Sequence, residues 1–227
     1  GIGELPLALA RDLTSIELGV AAKSIDLTTK RLTLESGEEI DYERLISTIP
    51  LDRLLGMING LPEEVAAPAS ALRCNPLWYL DVALKAEPKL DLHWVYVPED
   101  RYPFYRVGCY SNFSAAMAPE GCGGFYVELA SREEPDLARL QPEVIEGLTE
   151  MGLINGAEDI AFIRKRLLRH AYVIYDHAYE NALRIIHPFL ESQGIRSCGR
   201  YGAWEYSAME DALLGGRRAA QELQETL

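Results

Sequence analysis

The stretch Ile195 to Ala220, IRSCGRYGAWEYSAMEDALLGGRRAA, decides how the rest of the chain is read. A short apolar strand (Ile195 to Cys198) runs into a loop carrying Gly199 and Gly202, and helical spacing begins at Ser207. Ser207-Ala208-Met209-Glu210 has the pattern of a capping box, serine at the cap and glutamate three residues on. Strand, glycine-bearing loop and capped helix together aim a helix N-terminus back at a sheet. Such an end presents free N–H groups and a partial positive charge, which suits an anion or a polarised ring carbonyl. A plain structural end fits the same residues, with Glu210 capping its own helix and Trp204 and Tyr206 packed on the loop.

Before this stretch, residues 178–193 have amphipathic helix spacing and stop at Gly194. Ile160 to Ile174 alternates as a strand whose Arg164-Lys165-Arg166 cluster reads as a solvated edge, and residues 136–151 read as a helix. The middle is strand-rich, with Leu77–Leu84, His93–Val97, Phe104–Tyr110 and Gly124–Leu129, and most of the aromatic residues lie there. A sheet with one aromatic face lines a pocket or simply builds core and rim. Towards the start, Leu45 to Pro50 is an apolar run stopped by proline, a buried strand ending at a turn, followed by helices over 51–57 and 62–73. Ile16 to Leu18, Lys23 to Leu27 and Arg31 to Leu34 alternate as a small antiparallel meander. Residues 3–13 are apolar at helical intervals, which predicts Leu5, Leu7, Leu9 and Leu13 as buried.

Composition narrows the function. Lys and Arg total 22 against 35 Asp and Glu in 227 residues, a net charge of −13. That acidity argues against a nucleic acid partner and an anionic membrane surface. No apolar run reaches the roughly 18–20 residues of a membrane span. Cys74, Cys109, Cys122 and Cys198 are scattered without metal-ligand spacing, so no metal is expected, and they fit a reducing cytoplasm. No G-x-S-x-G elbow or H-E-x-x-H appears, which argues against a hydrolase. His93 reads as structural and His187 as surface, while His170 and His177 flank Tyr172, Tyr175 and Asp176.

The quoted segment resembles the C-terminal FAD motif of the flavin-dependent amine oxidase and protoporphyrinogen oxidase superfamily. Its GR-x-G-x-W-x-Y-x-x-M spacing is close to the UDP-galactopyranose mutase branch. GIGELPLALA resembles the superfamily's glycine-led helix, IELGVAAKSID through LISTIP its second FAD-contacting β-unit, and AYVIYDHAYENAL the return from the substrate domain. The resemblance places Gly199 and Arg200 at the FAD pyrophosphate and ribityl, and Met209 and Glu210 by the flavin edge, with Gly202 and Tyr206 of the same motif also cofactor-binding candidates. It places Ala22 where a valine commonly makes main-chain contacts with adenine, and Thr48 and Pro50 beside the adenosine half.

The strand–G-x-G-x-x-G–helix unit that opens the superfamily is missing. Gly1-Ile2-Gly3 has no strand before it, and Gly121-Cys122-Gly123-Gly124 runs into a strand. The expectation is therefore a piece of a longer protein. Its fold class is α+β, part of a Rossmann-type FAD-binding domain (1–53 and 176–227) with an inserted, mostly antiparallel-sheet substrate domain (54–175). Exposed sheet surface left by the absent half would be buried in a homodimer. Substrate candidates are Tyr105, Arg106, Asn112, Tyr172, Tyr175 and Trp204; no catalytic residue is assigned. The leading reading is an FAD-dependent oxidoreductase taking hydride from a small-molecule substrate, inactive as a fragment. A mutase acting on a sugar nucleotide and a non-catalytic binding module are the alternatives.

Overall fold

The computed structural model describes residues 1–131 and 133–225. The chain divides into two compact units, Gly1–Thr14 with Pro76–Ala171, and Ser15–Asn75 with the segment from Tyr172 on. The architecture is mixed α and β, with an antiparallel sheet in the first unit.

That unit begins with helix α1 (Glu4–Ala10). All four leucines expected to be buried are exposed, Leu7 at 66% and Leu13 at 60%. Helical spacing reports an amphipathic face; burial needs a second surface, and none of the described residues covers this one.

In the second unit, strands β1 (Ala22–Asp26), β2 (Arg31–Leu34) and β3 (Glu39–Asp41) form a meander in that order. Arg31 bridges Asp41 at 2.7 Å and Glu39 at 3.0 Å across it. Ile16 to Leu18 joins no strand, as Gly19 turns the chain with φ +75° before β1 begins. Strand β4 (Leu45–Ser47) ends at Thr48, and Pro50 caps helix α2 (Leu51–Met57), which α3 (Glu63–Ser70) follows.

Returning to the first unit, β5 (Cys74–Leu84), β6 (Trp94–Tyr96), β7 (Phe104–Cys109), β8 (Gly123–Leu129) and β9 (Ile160–Val173) form a five-stranded sheet of order β6-β7-β8-β5-β9. The pairings β6/β7, β7/β8 and β8/β5 are antiparallel, and α4 (Tyr110–Phe113) follows β7 directly. Helix α5 (Leu137–Glu150) starts at Asp136, whose carboxylate accepts the Ala138 N–H at 3.0 Å. Leu80, Val107, Phe125 and Val127 from the sheet are buried with Val144 and Leu148 of α5. Side chains alternate across a strand, so their neighbours point the other way. The opposite face carries the cross-strand rows Tyr96–Arg106–Glu128–Tyr79 and Trp94–Gly108–Tyr126–Asp81.

The second unit closes with α6 (Tyr179–Ser192), β10 (Ile195–Ser197), α7 (Gly199–Gly202) and α8 (Met209–Glu225). Strand β10 pairs parallel with β4 in the register Ile195–Leu45, Arg196–Ile46 and Ser197–Ser47. Ile25, Leu51, Leu54, Ile186, Ile195 and Trp204 lie in the core of this unit. His187 is half-buried instead of on the surface; it faces inward one residue after fully buried Ile186. No helix among the described residues is long and apolar enough to cross a membrane.

Candidate functional site

The carboxyl ends of the two parallel strands are where a crevice forms in α/β sheets. Both ends are built from small residues. The Cys198 N–H donates to the Ser47 carbonyl at 2.9 Å, extending the β4/β10 ladder by one rung. Ser197 Oγ donates to the Gly202 carbonyl at 2.8 Å. A Cβ on Gly202 would stand 2.9 Å from Ser197 Oγ and 3.0 Å from the Ser47 carbonyl oxygen, so only glycine lets α7 lie this close to the strands. Gly199 turns the chain out of β10 with φ +73°, a conformation disfavoured for other residues. The glycine-bearing loop of the sequence is thus one turn of helix.

Helix α8 begins at Met209, so its cap falls at Ala208, one residue later than the capping-box pattern predicts. Asp211 supplies the return bond, its carboxylate accepting the Ala208 N–H at 2.8 Å. Ser207 is 9% exposed, and its Oγ has no hydrogen-bond partner among the described residues. A buried hydroxyl without a partner is costly, so it is a group that a polar ligand would satisfy.

Arg200 donates to the Ser207 carbonyl at 2.7 Å. Its guanidinium lies 4.6 Å from the centre of the Tyr206 ring and 5.8 Å from that of Tyr172. The two tyrosine rings stack with centroids 5.9 Å apart. Met209 and Glu210 are exposed on the first turn of α8. Thr48 is exposed and Pro50 half-buried at the end of β4, and Ala22 is half-buried at the start of β1. All these residues, with Tyr172, Tyr175 and Trp204, belong to the second unit. Trp204 is 1% exposed and packs in the core, while Tyr206 two residues on is 64% exposed. Burial, then the neighbouring Tyr175, pushes the Tyr179 phenol up to about 12. Burial pulls His187 below its usual range, opposed by a hydrogen bond to the Ala203 backbone.

The remaining candidates lie in the first unit. Arg106 forms an ion pair with buried Glu128, between the rings of Tyr96 at 5.8 Å and Tyr126 at 5.6 Å. Tyr105, at the register shift between Phe104 and Arg106, donates to the other Glu128 oxygen at 2.6 Å. Asp81 accepts from Tyr110 at 2.9 Å and pairs with Arg166 at 2.8 Å on the same face. The Asn112 amide donates to the Leu90 and Leu92 carbonyls, pinning the segment before β6. Glu128 and Asp81 are absent from the sequence candidates. Their signal is a carboxylate spaced by two from a tyrosine, Tyr126 with Glu128 and Tyr79 with Asp81, in otherwise apolar strands. Among the described residues no three His, Cys, Asp or Glu side chains gather as metal ligands.

A model of the family described as flavin containing amine oxidoreductase matches residues 1–224. A crystal structure of reduced UDP-galactopyranose mutase is 27% identical with a TM-score of 0.87, covering 97% of this chain and 50% of that one. Wild-type putrescine oxidase bound to putrescine is 15% identical with a TM-score of 0.72, covering 99% and 53%. A structure assigned as a protoporphyrinogen oxidase from Exiguobacterium sp. 255-15 is 14% identical with a TM-score of 0.71, covering 100% and 51%. The last two likenesses are of fold. The chain spans about half the length of the solved structures it matches.

Proposed function

The chain belongs to the flavin-containing amine oxidoreductase family, and on that premise we propose that residues 199–210 are the flavin-facing wall of an FAD site in an oxidoreductase. The observation that carries this is the meeting, at the carboxyl ends of β4 and β10, of the Gly202 close approach, the Gly199 turn and the start of α8. The donor set fits the group: the first-turn N–H groups of α8, the Arg200 cation, stacked rings and the Ser207 hydroxyl, which has no partner among the described residues.

In this reading 1–53 and 176–227 form part of an FAD-binding domain, and 54–175 are an inserted substrate domain. The interruption of one compact unit by Pro76–Ala171 is in keeping with an insertion. Gly199, Arg200 and Gly202 hold the pyrophosphate and ribityl, where backbone can come close without a side chain in the way. Backbone at Ala22, Thr48 and Pro50 binds the adenosine half. The first turn of α8 at Met209 and Glu210 stabilises negative charge at the ring edge without reorganising, because its N–H groups are already fixed by the helix. Tyr206 and Tyr172 cover the ring side and exclude water. FAD, when bound, supplies the acceptor for hydride from a substrate carbon. Arg106, held by Glu128, takes an anionic part of the substrate, with Tyr105 beside it. In the unit of the flavin wall Trp204 acts through packing in the core, and in the unit of Arg106 the Asn112 amide acts by pinning its loop.

A mutase reading is favoured by the 27% identity to UDP-galactopyranose mutase and by the spacing of Arg200, Tyr206 and Met209. One assay separates the two. The flavin-loaded protein is offered putrescine in air, then UDP-galactopyranose after reduction with dithionite. Hydrogen peroxide from the amine supports the oxidase, and sugar ring contraction supports the mutase. A protein that takes up no FAD at all overturns both readings.

A further inference from the structure

Two phenols reach the peptide groups on either side of Glu205. Tyr179 Oη donates to the Trp204 carbonyl at 2.9 Å, and the Tyr206 N–H donates to Tyr175 Oη at 2.6 Å. The two rings meet edge-on, with centroids 4.7 Å apart and planes at 61°. With its phenol pushed up to about 12, Tyr179 stays protonated, and so remains a donor, at any physiological pH.

What these bonds hold is an unusual piece of chain. Trp204 has φ +56°, the left-handed region that residues other than glycine seldom occupy. Such a conformation persists only where its surroundings over-determine it. Here the indole is locked in the core on one side, and the peptides that follow are held on the other. Within two residues the chain passes from the buried Trp204 ring to the exposed Tyr206 ring, which stacks on Tyr172 and beneath Arg200. The orientation of these peptides directs the Tyr206 side chain towards that place.

We infer that Tyr175 and Tyr179 form a clip whose hydroxyls fix the Trp204–Tyr206 backbone and thereby position the Tyr206 ring and the Arg200 guanidinium. Tyr175 is thus a positioning residue, reaching the site through the backbone of Tyr206 and not by contact with substrate. The inference rests on the flavin reading only for what the clip serves; the clip itself is a property of the chain. Glu180 and Glu205 are the charged groups that bear on Tyr179, and both reinforce its neutral form.

Phenylalanine at either position keeps the ring and its edge contact and removes only the hydroxyl. A packing role therefore makes Tyr175→Phe and Tyr179→Phe silent. The clip makes the Tyr206 amide exchange with solvent roughly fivefold to tenfold faster in Tyr175→Phe, as expected for the loss of its one hydrogen bond, and also faster in Tyr179→Phe, where release of the Trp204 carbonyl loosens the same stretch, with the global melting temperature nearly unchanged. NMR-detected hydrogen exchange on the full chain reads this without any flavin. In the FAD-loaded protein, Tyr175→Phe weakens FAD binding severalfold and shifts the flavin absorption band, because Tyr206 and Arg200 lose their fixed placement. Unchanged exchange at Tyr206 in both variants overturns the clip. Faster exchange with an unaltered flavin spectrum and affinity overturns its positioning role. A wild-type chain that binds no FAD overturns the flavin reading instead, and the exchange rates still decide the clip.

Discussion

The five-stranded sheet and the parallel β4/β10 pair build their interiors in opposite ways. In the sheet, Leu80, Val107, Phe125 and Val127 fill the space under α5 with bulk, and the polar rows are turned to the other face. In the pair, Ser47, Ser197 and Gly202 remove bulk so that the backbone of α7 reaches the strand ends. The first interior is sensitive to volume lost and the second to volume gained. A binding crevice is made in the second way, because a ligand approaches backbone groups only where side chains are small.

The largest effect is expected for Phe125→Ala. The ring is fully buried, and its loss should cost about 3–5 kcal/mol in urea unfolding, with an unchanged slope. Glu128→Gln comes next. It removes the charge that Arg106 faces within a largely buried pair, and should cost about 2–3 kcal/mol by the same measurement. Gly202→Ala should cost about 1–3 kcal/mol despite adding one methyl group, since the neighbours it meets include the backbone of Ser47. Gly56→Ala is its control, a glycine in α2 with an ordinary helical backbone and nothing within 4 Å of the missing Cβ. A cost at Gly202 no greater than at Gly56 would break the contrast between the two interiors.

The smallest effect is a pH dependence. Burial lowers the His187 pKa in the folded chain, so below the unfolded value of 6.5 the unfolded state takes up a proton that the folded state resists. Stability should fall as pH drops from 7 towards 5, and His187→Gln should flatten that slope. Asp26 and Asp41, also shifted downward, act only nearer the ordinary aspartate value of 3.8, outside this window.

Much of this contrast was legible in the residues. Strand alternation located β5, β7, β8 and β9 because one face of that sheet is apolar and the other is not. The Gly199–Gly202 segment and the helix after it were visible in glycine placement and periodicity. Partners were not. Leu7 and Leu13 share a helical apolar pattern with buried residues elsewhere, and spacing alone does not say whether anything lies against them. The cap failed for a related reason. Two acidic residues, Glu210 and Asp211, stand at adjacent positions, and the carboxylate of Asp211 accepts the N–H of Ala208, which moves the cap one residue past Ser207. The Tyr175 and Tyr179 contacts join residues 25 and 31 positions apart, beyond any local pattern.

The assignment of residues 199–210 is decided by the flavin content of the protein purified from its complete reading frame, comparing wild type with the Gly199→Val/Gly202→Ala double variant. The wild type should show the two-band absorption of an oxidised flavin at close to one FAD per chain, and the folded double variant should lose most of it. A colourless wild type that gains no flavin absorption with added FAD, or a variant with an undiminished flavin content, would contradict the assignment of residues 199–210 to the flavin wall.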